Sequence, residues 1–223
     1  MIQPTILKQF PIFEKLSEEG VEQLTRMVEY RKVPKYTYIY NANDPSDAIY
    51  FLVRGTVKIG SYSSDGREAI KAIKHPLAIF GELCIVGETE RQDFAMTMND
   101  MVHVYVLKLE DFKLLMNANP VLRQELLLMI GRRLQRTESR LEALIFKDAR
   151  ARIIDFLKET AVTHGRQVGY EHFFKHSLTQ QDIANITDTS RQTVTLVLND
   201  LRKSNLIYFN RNSFLIRDMN KLV

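Results

Sequence analysis

At 223 residues, with 45% hydrophobic and 26% charged side chains, the chain has material for one large domain or two modest ones and needs no metal or disulfide staple to hold a core. Its single cysteine, Cys84, excludes an internal disulfide and any iron–sulfur cluster held by four thiolates of one chain. The formal net charge of +4 gathers toward one end: from Asp148 onward, eleven Lys or Arg stand against eight Asp or Glu, a balance that suits phosphate contact and that a chance surface excess would also give.

No apolar run reaches the roughly 18 residues needed to cross a bilayer. The first ten residues lack both the apolar stretch and the small-residue cleavage site of a signal peptide. The expected location is therefore the cytoplasm, with no membrane partner.

Residues 11–30 are predicted to be helical, with Ser17 as a cap and Val21, Leu24 and Val28 at helical spacing. From Arg31 to about Leu109 the pattern changes to short runs rich in Tyr, Ile, Val and Phe. Segments 36–40, 48–53, 56–62 and 68–73 read as strands, separated by turn signals at 41–46, Arg54-Gly55 and Ser63-Ser64-Asp65-Gly66. Many short strands at this spacing predict a β-roll or small barrel.

Asn119-Pro120 opens a long helical pattern to about Lys147, roughly 40 Å at 1.5 Å per residue. Leu127, Ile130, Leu134, Thr137, Leu141 and Leu144 step by three and four, the a/d seam of a coiled coil. So narrow a stripe is better covered by a second copy of itself than by the chain's own roll, which predicts a homodimer. Residues 149–163 read as an amphipathic helix with Ile153, Ile154, Phe156 and Leu157 on its apolar side, and 165–177 as a loop with short strands. The expected architecture is α+β: a β-roll sensor domain over 1–117, a long dimerisation helix over 118–147 and a winged helix-turn-helix over 148–223.

The strongest pattern lies between Leu178 and Ile216. Thr179 with Asp182 three residues on has the form of a capping box. Ala184 is small enough for a second helix to cross closely, Thr187-Asp188-Thr189 makes the turn, and Ser190 caps the next helix. There Val194, Val197, Leu198 and Leu201 should pack inward, while Gln192, Thr195, Leu196 and Asn199 face out. A polar face led by Arg191 and Gln192 suits a major groove, where Arg pairs with guanine, Gln with adenine and an apolar Leu196 meets a thymine methyl. Thr179, Gln180, Ser190, Arg202 and Lys203 are candidates for phosphates. Segments 206–209 and 213–216 flank Asn210-Arg211-Asn212 as a β-hairpin wing with Arg211 at its tip. A helical core with a trailing hairpin would share this pattern. No nucleophile–base set, Walker loop or hydrolase motif is present, so no enzyme is expected.

Several of these segments, in order, resemble the cyclic-AMP receptor protein/FNR superfamily of bacterial transcription regulators. They are Leu178-Thr179-Gln180-Gln181-Asp182, Thr189-Ser190-Arg191-Gln192-Thr193-Val194, Ile79-Phe80-Gly81-Glu82-Leu83, Arg132-Arg133-Leu134-Gln135 and Phe146-Lys147-Asp148. The resemblance implies a dimer on double-stranded DNA, contact with RNA polymerase, and an effector pocket around Gly81, Glu82 and Leu83. It also implies base reading by Arg191 and Gln192, with Leu196 where that receptor has an Arg. Glu82 falls where cyclic-AMP binders hold a ribose hydroxyl. Their Arg-Ser pair for the cyclic phosphate falls, counted without gaps, on Gln92 and Asp93, and an Asp carboxylate repels a phosphate. Arg91 would serve if the loop shifted by one residue. Thr137 falls at the position on the dimer helix that meets adenine, and its neighbour Glu138 stands where the family has a Ser. The effector is thus unidentified, cyclic AMP is disfavoured by Gln92 and Asp93, and no iron–sulfur cluster is expected. A regulator without a ligand, and a nucleotide sensor acting on a protein partner, are the alternatives.

Three smaller signals have plainer readings. Cys84 in an apolar run reads as a small buried hydrophobe before a redox sensor. Glu171, His172 and His176 read as packing or surface residues before a metal set. His75 has no identifiable second ligand for haem.

Overall fold

The structure is a computed structural model and describes residues 3–98 and 101–222; Met1 and Ile2, the start of the N-terminal stretch read above, lie outside it. The chain divides into two compact units, one ending at Arg136 and the other beginning at Thr137.

In the first unit, α1 (Pro4–Leu7) and a 3-10 turn (Pro11–Phe13) precede α2 (Glu18–Met27). The helix predicted over residues 11–30 is therefore shorter at both ends. Ser17 is the true start: its backbone is extended and its Oγ accepts from Gly20 N. At the other end the chain is already extended at Val28, and Tyr30 pairs with Tyr105 in a sheet.

Among the described residues, eight strands follow: β1 (Glu29–Pro34), β2 (Tyr38–Tyr40), β3 (Ala48–Arg54), β4 (Val57–Tyr62), β5 (Glu68–Lys74), β6 (Ile79–Phe80), β7 (Phe94–Thr97) and β8 (Met101–Lys108). They form two antiparallel sheets, in the orders β1-β8-β3-β6 and β2-β7-β4-β5. α3 (Leu109–Ala118) closes the roll and α4 (Pro120–Phe146) leaves it.

The strand alternation sorts β3 onto two cores. Tyr50 and Leu52 join Tyr40, Val57, Ile59, Phe80, Ala95 and Val104 of both sheets. Ile49 and Phe51 point the other way, against Leu7, Phe10, Phe13, Leu24, Phe112 and Leu115 of the helical side. This double burial is why residues 48–53 are a continuous apolar run, without polar alternation. Phe51 is wholly enclosed, with Phe13 at 5.0 Å and Phe10 at 5.5 Å; truncating such a side chain costs about 3–5 kcal/mol.

α4 begins on this second core, where Leu122 and Leu126 are buried and Met129 and Ile130 partly so. Ile130, assigned to the dimer seam by spacing, thus shares its surface with the roll. The other seam leucines, Leu127, Leu134, Leu141 and Leu144, are exposed.

The second unit holds the end of α4, α5 (Ala149–His164), β9 (Arg166–Val168), β10 (Glu171–Lys175), α6 (Gln180–Thr187), α7 (Arg191–Lys203), β11 (Ile207–Asn210) and β12 (Ser213–Ile216). Its sheet runs β11-β12-β10-β9. Its buried side chains include Ile153, Leu157, Phe174, Ile183, Ala184, Val194, Leu198, Leu201, Phe214 and Ile216. The expected α+β order of β-roll, long helix and winged helix-turn-helix is what the chain forms.

Candidate nucleic-acid interface and effector pocket

The reading face is built by two caps and a turn. Thr179 Oγ1 accepts from Asp182 N at 3.1 Å, and Asp182 Oδ2 accepts from Thr179 N at 2.8 Å, so the capping box closes and starts α6. α6 ends at Asp188, whose φ of 50° is left-handed, a conformation Asp tolerates because its short polar side chain bonds locally. Ser190 Oγ then accepts from Thr193 N at 3.0 Å and starts α7 only two residues later.

On α7, Val194, Val197, Leu198 and Leu201 are buried, while Arg191, Gln192 and Leu196 stand in solvent, Leu196 with 70% of its surface exposed. Arg191, Gln192, Thr195 and Leu196 border one open concavity. Thr195 Oγ1 lies 2.6 Å from Gln180 Oε1, which pins the start of α6 to this face. Asn199 is half-buried and accepts from Arg202 Nη2 at 2.9 Å. Arg202 and Lys203 are exposed at the end of α7, and Arg211 is exposed in the turn between β11 and β12, where Asn210 Oδ1 accepts from Asn212 N at 2.9 Å. The face offers exposed donors at the positive end of a helix, and the exposed cations Arg202, Lys203 and Arg211 belong to the same domain.

The pocket lies in the first unit. Gly81 ends β6 in the left-handed region, φ +72°, where a Cβ would meet Arg91 Nη1 at 3.0 Å and Ala48 O at 3.2 Å; glycine is required there for both reasons. Gly81 O is thereby turned to accept from Arg91 Nη1 at 2.8 Å, and Ala48 O accepts from Nη2 at 2.5 Å. The Arg91 guanidinium is 1% exposed, 3.6 Å from Glu88, and stacked on Tyr40 at 4.5 Å.

Glu82 is buried and ion-paired with Arg133 of α4. Its second oxygen, Oε2, has no hydrogen-bond partner among the described residues, nor has Arg91 Nε. Asp93 is buried and accepts from Tyr40 OH at 3.3 Å, with Lys71 Nζ at 3.4 Å. Burial, with Asp93 adding to it, pushes the Tyr40 phenol far above its ordinary value, so it stays a donor. Burial lowers the Lys74 ammonium, partly offset by Glu82. The cavity among Tyr40, Phe80, Gly81, Glu82, Arg91 and Arg133 holds about 10 Å³, the room of one water.

Of the effector residues expected from sequence, Gly81, Glu82, Leu83, Arg91 and Asp93 line this cavity. Gln92 does not: it is exposed, and its amide donates to Glu90 O at 3.2 Å. Arg91, its sequence neighbour, takes the inward position instead. Thr137 and Glu138 are exposed on α4 in the second unit. Sequence reasoning missed Tyr40, Glu88 and Arg133. A signal for Arg133 existed, since it precedes Thr137 by one helical turn. Cys84 is buried beside the pocket, its thiol pushed up to about 11 by burial, the opposite of a reactive thiolate.

A roll with an anion-type cradle, a long helix and a winged helix-turn-helix together define the class: a regulator that reads DNA. Residues 30–119 match the cyclic nucleotide-binding domain family and residues 151–223 the Crp-like helix-turn-helix domain. The chain is 31% identical over 217 residues to the CRP-like cAMP-activated global transcriptional regulator of Mycobacterium tuberculosis, covering 97% of this chain and 96% of the relative. It is 26% identical to the Cyclic AMP receptor protein of Thermus thermophilus, covering 95% and 94%. Its fold matches the structure of FixK2 from Bradyrhizobium japonicum with a TM-score of 0.79 at 21% identity, over 87% of this chain and 95% of that one. The chain belongs to the CRP/FNR superfamily. It is a transcription regulator with a helix-turn-helix DNA-binding domain, a class of proteins that are not enzymes.

Proposed function

We propose that the protein acts as a cytoplasmic homodimer on a two-fold symmetric DNA site, and that an anion bearing a hydroxyl group, bound in the roll, controls it. The exposed leucines of α4 support the dimer: Leu127, Leu134, Leu141 and Leu144 form a stripe that a second copy would cover. No helix among the described residues is long and apolar enough to cross a membrane. RNA polymerase is the protein partner expected of a regulator bound near a promoter.

The observation that carries the effector reading is the unpartnered Glu82 Oε2 beside the Arg91 guanidinium. A buried acceptor without a donor costs about 1–3 kcal/mol, and a ligand hydroxyl would relieve it while Arg91 takes the negative charge. A cyclic nucleotide has both groups, and two relatives carry cyclic AMP in their names. Asp93 makes this cavity poorer for a cyclic phosphate than a serine would, although Lys71 offsets its charge.

One observation favours the ligand-independent reading: Arg133 closes on Glu82 and leaves room for a single water. Thermal melting with cyclic AMP, cyclic GMP and other hydroxylated phosphates decides between them. An effector raises the melting point by mass action, while no shift at millimolar concentrations supports control by abundance. Selection of bound duplexes from a random pool tests the DNA reading. A two-fold symmetric site is expected; a monomer, or a protein that ignores duplex DNA at low ionic strength, overturns it.

A further inference from the structure

We infer that Arg152 is a positioning residue that carries the direction of the end of α4 into the reading face. The inference rests on the dimeric reading above, in which two α7 helices must meet half-sites at one spacing. Arg152 lies on the first turn of α5, half-buried. Its guanidinium donates to three backbone carbonyls from two separate places. Nη1 donates to Lys147 O at 2.8 Å, the residue just past α4. Nε donates to Thr187 O at 2.9 Å and Nη2 to Asp188 O at 2.8 Å, the last residue of α6 and its left-handed cap.

The chemistry requires arginine. The planar fork meets three acceptors at once, which an ammonium on a flexible stem does not. The charge sits where the carbonyl ends of α4 and α6 both point their negative poles. Lys147 also pairs with Asp155 at 2.6 Å, and Arg150 with Asp200 at 2.6 Å, but these pairs are about half exposed and weakly held by comparison. The turn at Asp188 sets where Ser190 caps α7, so a rotation at Lys147 reaches Arg191 and Gln192 through one rigid side chain.

The test uses the full chain with Arg152→Met and Arg152→Lys, and Asp155→Asn as control. Amide hydrogen exchange of the free protein should accelerate about tenfold in both segments 147–152 and 187–190 in Arg152→Met. Arg152→Lys should restore at most one segment, and Asp155→Asn should alter neither. Acceleration in one segment alone, or equal rescue of both by lysine, makes Arg152 a local cap and overturns the inference. On DNA, the site selected by the wild type is compared with versions gaining or losing one base pair between half-sites. Arg152→Met should lose at least threefold of the wild type's spacing preference; an equal loss at every spacing would also overturn the inference. A wild type that selects no symmetric site sinks the dimeric reading, and the exchange result then judges Arg152 by itself. Should Arg152→Met fail to fold, Arg152→Lys supplies both readouts.

Discussion

A carboxylate as enclosed as Glu82 persists only beside a cation, and Arg133 supplies it from a different element of the roll unit. Removing Arg133 strands the charge. Because the Arg133 side chain is 39% exposed, water softens the penalty, and Arg133→Met should destabilise the first unit by about 1–3 kcal/mol. Adding Glu82→Gln should recover most of that loss; urea unfolding of the single and double variants reads both. His176 gives a second test. Its ring lies 4.8 Å from Phe214, its Nδ1 accepts from Leu178 N at 3.2 Å, and burial lowers its pKa below the ordinary 6.5. The unfolded chain therefore takes up a proton first as pH falls, so stability holds above about pH 6.5 and declines below it. His176→Asn should flatten the fall in melting temperature between pH 7 and pH 5; an unchanged slope would place the effect elsewhere. At this scale the sequence was least readable. Arg91 and Gln92 are neighbours, and only the course of the folded loop turns the former inward and leaves the latter exposed. Arg133 stands one turn before Thr137, but its partner Glu82 is remote in sequence and only the fold brings the two together.

Elements were far more legible, because period and caps report on them directly. The capping box at Thr179, the cap at Ser190 and the inward set on α7 all follow from spacing. Strand runs and turn signals report the roll, whereas helical spacing before it predicts a helix longer than α2. Ser17 marks the break, since a capping side chain requires extended backbone at its own position. The α4 seam read from spacing divides between two surfaces: Ile130 packs in part on the roll, beside Leu122 and Leu126, while Leu134 and Leu141 do not. Leu134→Glu should therefore leave the melting of the roll within about 0.5 kcal/mol of wild type, as a surface substitution does. The same change sets two like charges against each other across a paired seam. Sedimentation should then show a monomer, and DNA affinity should fall with it. A variant that stays dimeric would move the interface off this stripe.

For the whole molecule, the positive excess after Asp148 places cations on the DNA-reading domain, and phosphate neutralisation releases counterions. Each contact contributes about 0.9 to the slope of log affinity against log salt. Arg211 is exposed at the wing tip, between β11 and β12. If it meets one phosphate in each protomer of a symmetric dimer, Arg211→Ala should reduce the slope by about 1.8 and weaken all sequences alike. A reduction near 0.9 would mean that one copy alone touches DNA, and no reduction would take the wing off the backbone. Leu196→Ala is the contrasting variant, since its side chain is uncharged and 70% exposed on the reading face. It should leave the slope intact while relaxing preference at one position of each half-site, because losing an apolar contact to a base removes discrimination without altering the ion atmosphere. Salt titration of both variants on the selected site therefore counts the protomers on the duplex and separates positioning from reading in one measurement.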